Sequence, residues 1–229
     1  MKKEEMAITV KDLHVYYRDM NRFSLKKGGL KARGSGKIFK AIKGVSFEVP
    51  KGQILGICGK NGSGKSTMLR AISGIFSADS GSINLHGNSI SLLSIGVGFQ
   101  KQLTGYENIF LSGMLLGYSK EQIEEKVNDI IEFSELGDFV YRPVRSYSSG
   151  MYSKLAFSIT AILETDIMLI DEVLSVGDIH FKEKSYNKMK ELISNDERTV
   201  VIVSHNSNTI KELCDKVIWL HDGLIKDED

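Results

Sequence analysis

Three patterns of apolar and polar residues follow one another along the chain, and each predicts a different kind of element. "AITVKDLHVYY" (7–17) and "AIKGVSFEV" (41–49) alternate apolar with polar positions, the mark of strands with one face buried. "QILGIC" (53–58), "IMLIDE" (167–172) and "TVVIVSH" (199–205) are apolar almost throughout, as strands covered on both faces must be. "YENIFLSGMLLGY" (106–118), "SKEQIEEKVNDIIEF" (119–133) and "FKEKSYNKMKELI" (181–193) carry apolar residues three and four apart, the spacing of helices with one buried face. Ser119 with Gln122 reads as a capping box for the second of these. "SADSGSINLHG" (77–87) gives a turn and hairpin signal, and "KVIWLHDGLI" (216–225) a closing hairpin.

Buried strands that alternate with helices mean a largely parallel sheet with helices packed on it. A helical stretch from about 102 to 163 interrupts that alternation and reads as an inserted subdomain. There is no internal repeat. The expected organisation is therefore one domain over residues 1–229, with the insertion at 102–163 and a loop excursion at about 18–40. That excursion, "RDMNRFSLKKGGLKARGSGKIF", is rich in Gly, Lys and Arg, and Asp19 is its only acid.

Composition narrows the classes. A net charge of +1 with 26% charged residues argues against a nucleic-acid-coating tail, so any basic partner surface is local. Two cysteines, Cys58 and Cys214, lack metal-ligand spacing and read as buried free thiols of a reducing compartment. "MKKEEMAITV" has no apolar signal core, and no run reaches the ~18 apolar residues of a membrane span. The methionines Met68, Met114 and Met189 and the single Trp219 read as packing residues, and His14, His86, His180 and His221 as capping or packing histidines.

The chemistry begins after "QILGIC". "GKNGSGKS" (59–66) fits GxxxxGK[ST] and stands between a buried strand and the helix-like "TMLRAISGI". Gly59, Asn61, Gly62, Ser63 and Gly64, with Thr67 just beyond, are the candidate phosphate cradle. Lys65 is placed to reach β- and γ-phosphates, and Ser66 to ligate Mg²⁺. "IMLIDE" delivers Asp171 to the carboxyl end of a buried strand as a second Mg²⁺ holder, and Glu172 next to it as the group that polarises an attacking water. His205, at the end of the next buried strand, is expected to face the γ-phosphate beside Glu172. Gln100, in "GVGFQKQLTG", stands where core and helical insertion join and is a candidate Mg²⁺ sensor. "RSYSSGM" (145–151) opens a helix. Ser148 or Ser149 can cap it, and the unpaired N–H groups that a cap serves can equally bind an anion.

In this order the motifs resemble an ATP-binding cassette ATPase from about residue 8 to 225. The resemblance implies an α/β fold: a P-loop NTPase core with a mainly parallel sheet, an N-terminal antiparallel β subdomain and the inserted helical subdomain. It makes "YSSGM" the counterpart of a Leu-Ser-Gly-Gly-Gln signature, so that Ser148, Ser149 and Gly150 contact the γ-phosphate held by a second copy. "SVGD" (175–178), ending in Asp178, stands where Ser-Ala-Leu-Asp is commoner. Tyr17 is the expected adenine-stacking aromatic, with Tyr16 and Phe39 as alternatives.

"YSSGMYSKLAFS", "DEVLSVGD" and "LTGYENI" resemble most the ATPases that export bacterial capsules, O-antigens and teichoic acids. That likeness implies ATP and Mg²⁺ as ligands, a homodimer sandwiching ATP, and an integral-membrane permease as partner. It also implies a peripheral position on the cytoplasmic face of the membrane. The lipid-linked glycan is met only indirectly, and nucleic acid is not a partner. Some members add a C-terminal carbohydrate-binding domain, which a chain ending at "KDED" either lacks naturally or has lost. The alternatives are an exporter of drug, peptide or lipid, and a cassette ATPase acting on nucleic acid or ribosomes, which usually has two cassettes or a long coiled-coil insertion.

Overall fold

The structure is a computed structural model that describes residues 5–18, 38–93, 98–171, 178–194, 198–205, 210–211 and 213–226. Most of the basic excursion at 18–40 lies outside these residues.

The two alternating stretches form β1 (Met6–Arg18) and β2 (Ile38–Pro50), paired antiparallel with Val10 opposite Phe47 and Val15 opposite Ile42. β4 (Ser80–Asn84) completes this sheet by pairing antiparallel with the other side of β1. This corrects the hairpin expected of 77–87. Gly81, at φ 85°, lets the two backbones approach so closely that a Cβ there would stand 2.2 Å from the Asp12 carbonyl oxygen. Asp79 locks the junction by accepting the Tyr16 N–H at 2.7 Å.

The second sheet has the order β5 (Ile90–Leu93), β6 (Ile167–Asp171), β7 (Thr199–Ser204), β3 (Ile54–Cys58), β8 (Lys216–His221), β9 (Leu224–Lys226). It is parallel except for the β8–β9 hairpin, which forms as expected. Its apolar runs split by the two-residue period of a strand. Leu55, Ile57, Ile167, Leu169, Val201 and Val203 enter one core with β1, β2 and the helix α1 (Lys65–Ile72). Met168, Ile170, Val200 and Ile202 enter another, on the opposite face, with α5 (Ile179–Ile193).

The helical insertion has its own core, built on α2 (Gly105–Leu115), α3 (Lys120–Ser134) and α4 (Ser149–Ile162). α3 starts with the expected Ser119–Gln122 box. α2 has a second one, Thr104 with Glu107, which the sequence reading missed. Met68 and Met189 are buried, but Met114 is not: it lies 52% exposed at the end of α2, where the packed face has turned away. Trp219 is half-buried against the α5-side core. Neither cysteine is in a disulfide: Cys58 is buried as expected but Cys214 only half-buried, and burial, then the neighbouring Cys58, pushes the Cys214 thiol up to about 12. Among the described residues no helix is long and apolar enough to cross a membrane.

α2 meets the loop before α4 with no space to spare. A Cβ on Gly105 would stand 2.1 Å from the Tyr147 hydroxyl oxygen, which itself donates to the Phe139 carbonyl, and 3.0 Å from the Val140 carbonyl oxygen. Gly105→Ala is therefore expected to destabilise the protein by about 1–3 kcal/mol, the usual cost of overpacking. Adding Tyr147→Phe removes the clashing oxygen, so the double variant should be less destabilised than the sum of the two single ones in a urea-denaturation cycle. Strict additivity would mean that the two residues do not compete for the same space.

Candidate nucleotide site

β3 ends at Cys58 and the chain turns through Gly59–Gly64 into α1. The glycines answer to specific neighbours. A Cβ at Gly59 would lie 2.2 Å from the Leu220 carbonyl oxygen, and one at Gly64, whose φ is 107°, 2.7 Å from that of Ala41. Gly62, at φ 83°, meets nothing within 4 Å and faces open space. Lys65 is buried, and its ammonium donates to the Gly59 and Lys60 carbonyls at 2.7 and 3.0 Å. Gly64, the N-cap of α1, supplies no side-chain acceptor, so the first N–H groups of the helix remain available to an anion.

One hydrogen bond joins the two halves of the site: Ser66 Oγ donates to Asp171 Oδ1 at 3.1 Å, across 105 residues of sequence. Asn61, Gly62, Lys65, Ser66, Asp171 and Val203 line a cavity of about 280 Å³. That lies just below the ~300–1,000 Å³ of whole small-molecule pockets, a size suited to phosphates and an ion rather than a complete nucleotide. A hydroxyl and a carboxylate in contact, beside a buried ammonium, is a donor set that suits a hard divalent cation and phosphate oxygens. The buried Ser63 Oγ of the same loop, close to Gly59, has no hydrogen-bond partner among the described residues.

The other expected site residues fall into separate groups. His205 follows directly on β7, two positions past Val203, which is the register partner of Asp171. Glu172 lies outside the described residues, as does most of "SVGD". Tyr17 stands over α1, its hydroxyl 2.9 Å from Thr67 Oγ1 and its ring 5.8 Å from that of Phe76. Tyr16 instead bonds His14 and lies under Lys40, while Phe39 is 61% exposed with its ring 6.4 Å from Tyr17. Gln100 does not line the cavity. Its backbone is held by Asn108, which accepts the Gln100 N–H at 2.7 Å and donates to its carbonyl at 3.0 Å. Asn108 is fully buried and escaped the sequence reading. An Asn inside the apolar face of a helical pattern was the available signal.

Ser148, Ser149 and Gly150 stand at the start of α4 and do not line the cavity; the Ser148 hydroxyl accepts the Met151 N–H at 3.1 Å. Asp178 is the N-cap of α5 and pairs with Lys154 of α4 at 2.7 Å. The Lys154 ammonium, then the Phe181 N–H, lower its carboxyl to about 2.

A glycine-rich loop between a buried strand and a helix, with the first turn of that helix bonded to an aspartate at the end of the next parallel strand but one, defines a P-loop nucleoside-triphosphatase. The chain belongs to the ABC transporter family, whose pattern, described as "ABC transporter", matches residues 42–175. It is 41% identical over 189 residues, 82% of its length, to the O-antigen export system ATP-binding protein RfbB of Myxococcus xanthus, of which it spans 43%. It is 40% identical over 217 residues, 95% of its length, to the teichoic acids export ATP-binding protein TagH of Staphylococcus epidermidis, of which it spans 80%. Its fold is that of a dimeric ATP-binding cassette in a post-hydrolysis state bound to ADP and Pi, with TM-score 0.72, 22% identity and 97% of each chain covered.

The Asp178 carboxyl titrates below its ordinary value of 3.8, so it stabilises the fold fully above that range and loses the contribution as pH falls toward about 2. Asp178→Asn keeps a good cap but removes the charge. Its melting temperature is expected to drop less than that of the wild type between pH 5 and pH 2.5, measured by circular dichroism. Parallel acid limbs would mean that the ion pair contributes nothing to stability.

Proposed function

We propose that this chain is the ATP-binding and ATP-hydrolysing subunit of a bacterial exporter of lipid-linked cell-surface polysaccharide, working as a homodimer on the cytoplasmic face of the membrane beside an integral-membrane permease. The observation that carries the ATPase reading is the Ser66–Asp171 hydrogen bond beside the buried Lys65. The cargo rests on the relatives, which are named for O-antigen and teichoic acid export.

In this reading the loop N–H groups of Gly59–Gly64 and the start of α1 bind the β- and γ-phosphates, and Lys65 turns its ammonium from loop carbonyls to phosphate oxygens. Ser66 and Asp171 would hold Mg²⁺, with Gln100 joining when the helical subdomain moves inward. When bound, Mg²⁺ neutralises charge on the phosphate oxygens. Glu172 takes the proton from the attacking water, and His205 holds that water and the γ-phosphate in line. Tyr17, tied to Thr67, offers its ring to adenine. Ser148, Ser149 and Gly150 of a second copy close the site by donating to the γ-phosphate, which excludes water from the reacting atoms.

Glu172→Gln is expected to retain ATP binding, to lose hydrolysis by about 10²-fold or more, and to run as a dimer in size exclusion with Mg-ATP. Lys65→Ala should lose ATP binding altogether. A Glu172→Gln protein that stays monomeric and hydrolyses normally defeats the assignment. For cargo, the measurement is hydrolysis in vesicles carrying the permease, with and without the lipid-linked polymer, and stimulation by the polymer is expected.

Tyr17→Ala should weaken ATP binding roughly tenfold, the value of one good aromatic stack, while Tyr16→Ala leaves it nearly unchanged. Titration of a fluorescent ATP analogue separates the two. An equal loss in both would remove Tyr17 from the adenine site.

A further inference from the structure

We infer that Phe76, just past the end of α1, is a positioning residue for base recognition, holding the Tyr17 ring where adenine stacks; this rests on the reading of Tyr17 above. Tyr17 is 40% exposed near the end of β1, a strand of the antiparallel sheet, whereas the phosphate loop leads into α1. A base and its phosphates belong to one ligand, so the ring has to be fixed relative to the loop. α1 does this from both of its ends. In its first turn, Thr67 Oγ1 lies 2.9 Å from the Tyr17 hydroxyl. Past its last turn, the Phe76 ring stands at 89° to the Tyr17 ring with 5.8 Å between their centres, the edge-to-face arrangement that aromatic pairs favour.

Phe76 is itself held in place. The helix ends at Ser73, and Gly74, at φ 76°, takes the left-handed turn after which the Phe76 N–H reaches back to the Arg70 carbonyl at 3.0 Å. The Arg70 guanidinium lies 5.7 Å from the centre of the Phe76 ring. Three residues on, Asp79 accepts the Tyr16 N–H at 2.7 Å and donates its own N–H to the His14 carbonyl at 2.9 Å. The stretch from Phe76 to Asp79 therefore grips both the backbone that leads to Tyr17 and the Tyr17 ring. Phe39, the register partner of Tyr17 on β2, is the less constrained neighbour: it is 61% exposed and tilted, with 6.4 Å between the ring centres. A half-exposed ring at a strand end ordinarily loses rotamer freedom when a ligand stacks on it. A ring braced beforehand loses less, and the difference shows in affinity for the base, not for the phosphates. Phe76 does not line the phosphate cavity, so it acts through Tyr17 alone.

The test compares Phe76→Ala with Phe76→Leu, which keeps the apolar bulk, and Phe76→Tyr, which keeps the ring. For the full chain, the affinities for Mg-ATP and for Mg-tripolyphosphate, which carries phosphates without a base, are measured on each, with kcat, KM and the melting temperature. Phe76→Ala is expected to weaken ATP binding about threefold to tenfold, the fold-change of one aromatic pair, and to raise KM in step while kcat stays within about twofold of the wild type. Its affinity for tripolyphosphate should not change. Phe76→Leu should recover the melting temperature but not the ATP affinity, and Phe76→Tyr should recover both. In a Tyr17→Ala background, Phe76→Ala should cost no further ATP affinity. Wild-type ATP affinity in Phe76→Ala overturns the inference. So does an equal loss for tripolyphosphate, or full recovery of ATP affinity by Phe76→Leu, since packing alone would give either. If Tyr17→Ala by itself leaves ATP affinity unchanged, the adenine reading of Tyr17 fails and takes this inference with it.

Discussion

The phosphate loop is held by backbone pressed against backbone, and the rest of the site depends on that contact. Gly59 lies against the Leu220 carbonyl of β8, Gly64 against the Ala41 carbonyl of β2, and Gly223, in the β8–β9 turn, against Ala41 again. At each point a Cβ would fall under 3 Å from a carbonyl oxygen. Two hydrogen bonds complete the seam, Gly223 N–H to the Ser63 carbonyl and Lys43 N–H to the Gly223 carbonyl. The antiparallel sheet, the parallel sheet and the loop are consequently one unit, and the loop cannot drift without separating the sheets. That rigidity aims Ser66 at Asp171, because β3 and β6 are each fixed by parallel pairing to β7 between them.

The helical insertion is attached differently. Its core of Ile109, Ile123, Val127, Ile130, Leu155 and Ile159 is distinct from the two cores of the sheet. α4 is the shared wall, with Leu155, Ile159 and Leu163 facing the insertion and Phe157 and Ala161 facing the sheet side. A helix that packs on both sides can pass a displacement from one to the other, and the partly buried Lys154 sits at its junction with α5. The oxygen-rich cavity is therefore stiff on the phosphate-loop side, while the insertion meets the rest of the chain through the apolar Phe157 and Ala161 of α4 and polar contacts such as Lys154 with Asp178 and Lys184 with Glu135.

The strands and the phosphate loop were legible because their signals are local. A two-residue period, an unbroken apolar run or GKNGSGKS each needs no knowledge of the rest of the chain. What escaped depends on topology. Gly81 looks like a turn residue, yet its role is to let β4 lie against β1, a partner some 70 residues earlier. Met114 fits the helical period of its stretch, but the period cannot say where a helix outruns its core. Asp178 stands out in the sequence only as the end of "SVGD" and Lys154 not at all, and only the packing of α4 on α5 makes them a pair.

The stretch "RSYSSGM" is built as a cap that leaves room for an anion site in the same piece of chain. A hydroxyl has one proton and two lone pairs, so the Ser148 oxygen can accept the Met151 N–H and still donate outward. Gly150 is more telling. It lies within a helix, where glycine costs about 1 kcal/mol against alanine, and beyond its own helix's backbone a Cβ there would meet, among the described residues, nothing nearer than the Ser148 oxygen at 3.8 Å. Its φ is not positive, and among the described residues nothing packs tightly against it. Gly59 and Gly64 are explained from within the chain. In the proposed dimer, a phosphate carried by a second copy would need the Gly150 N–H uncovered and the space beside it clear, and the described residues leave that space open.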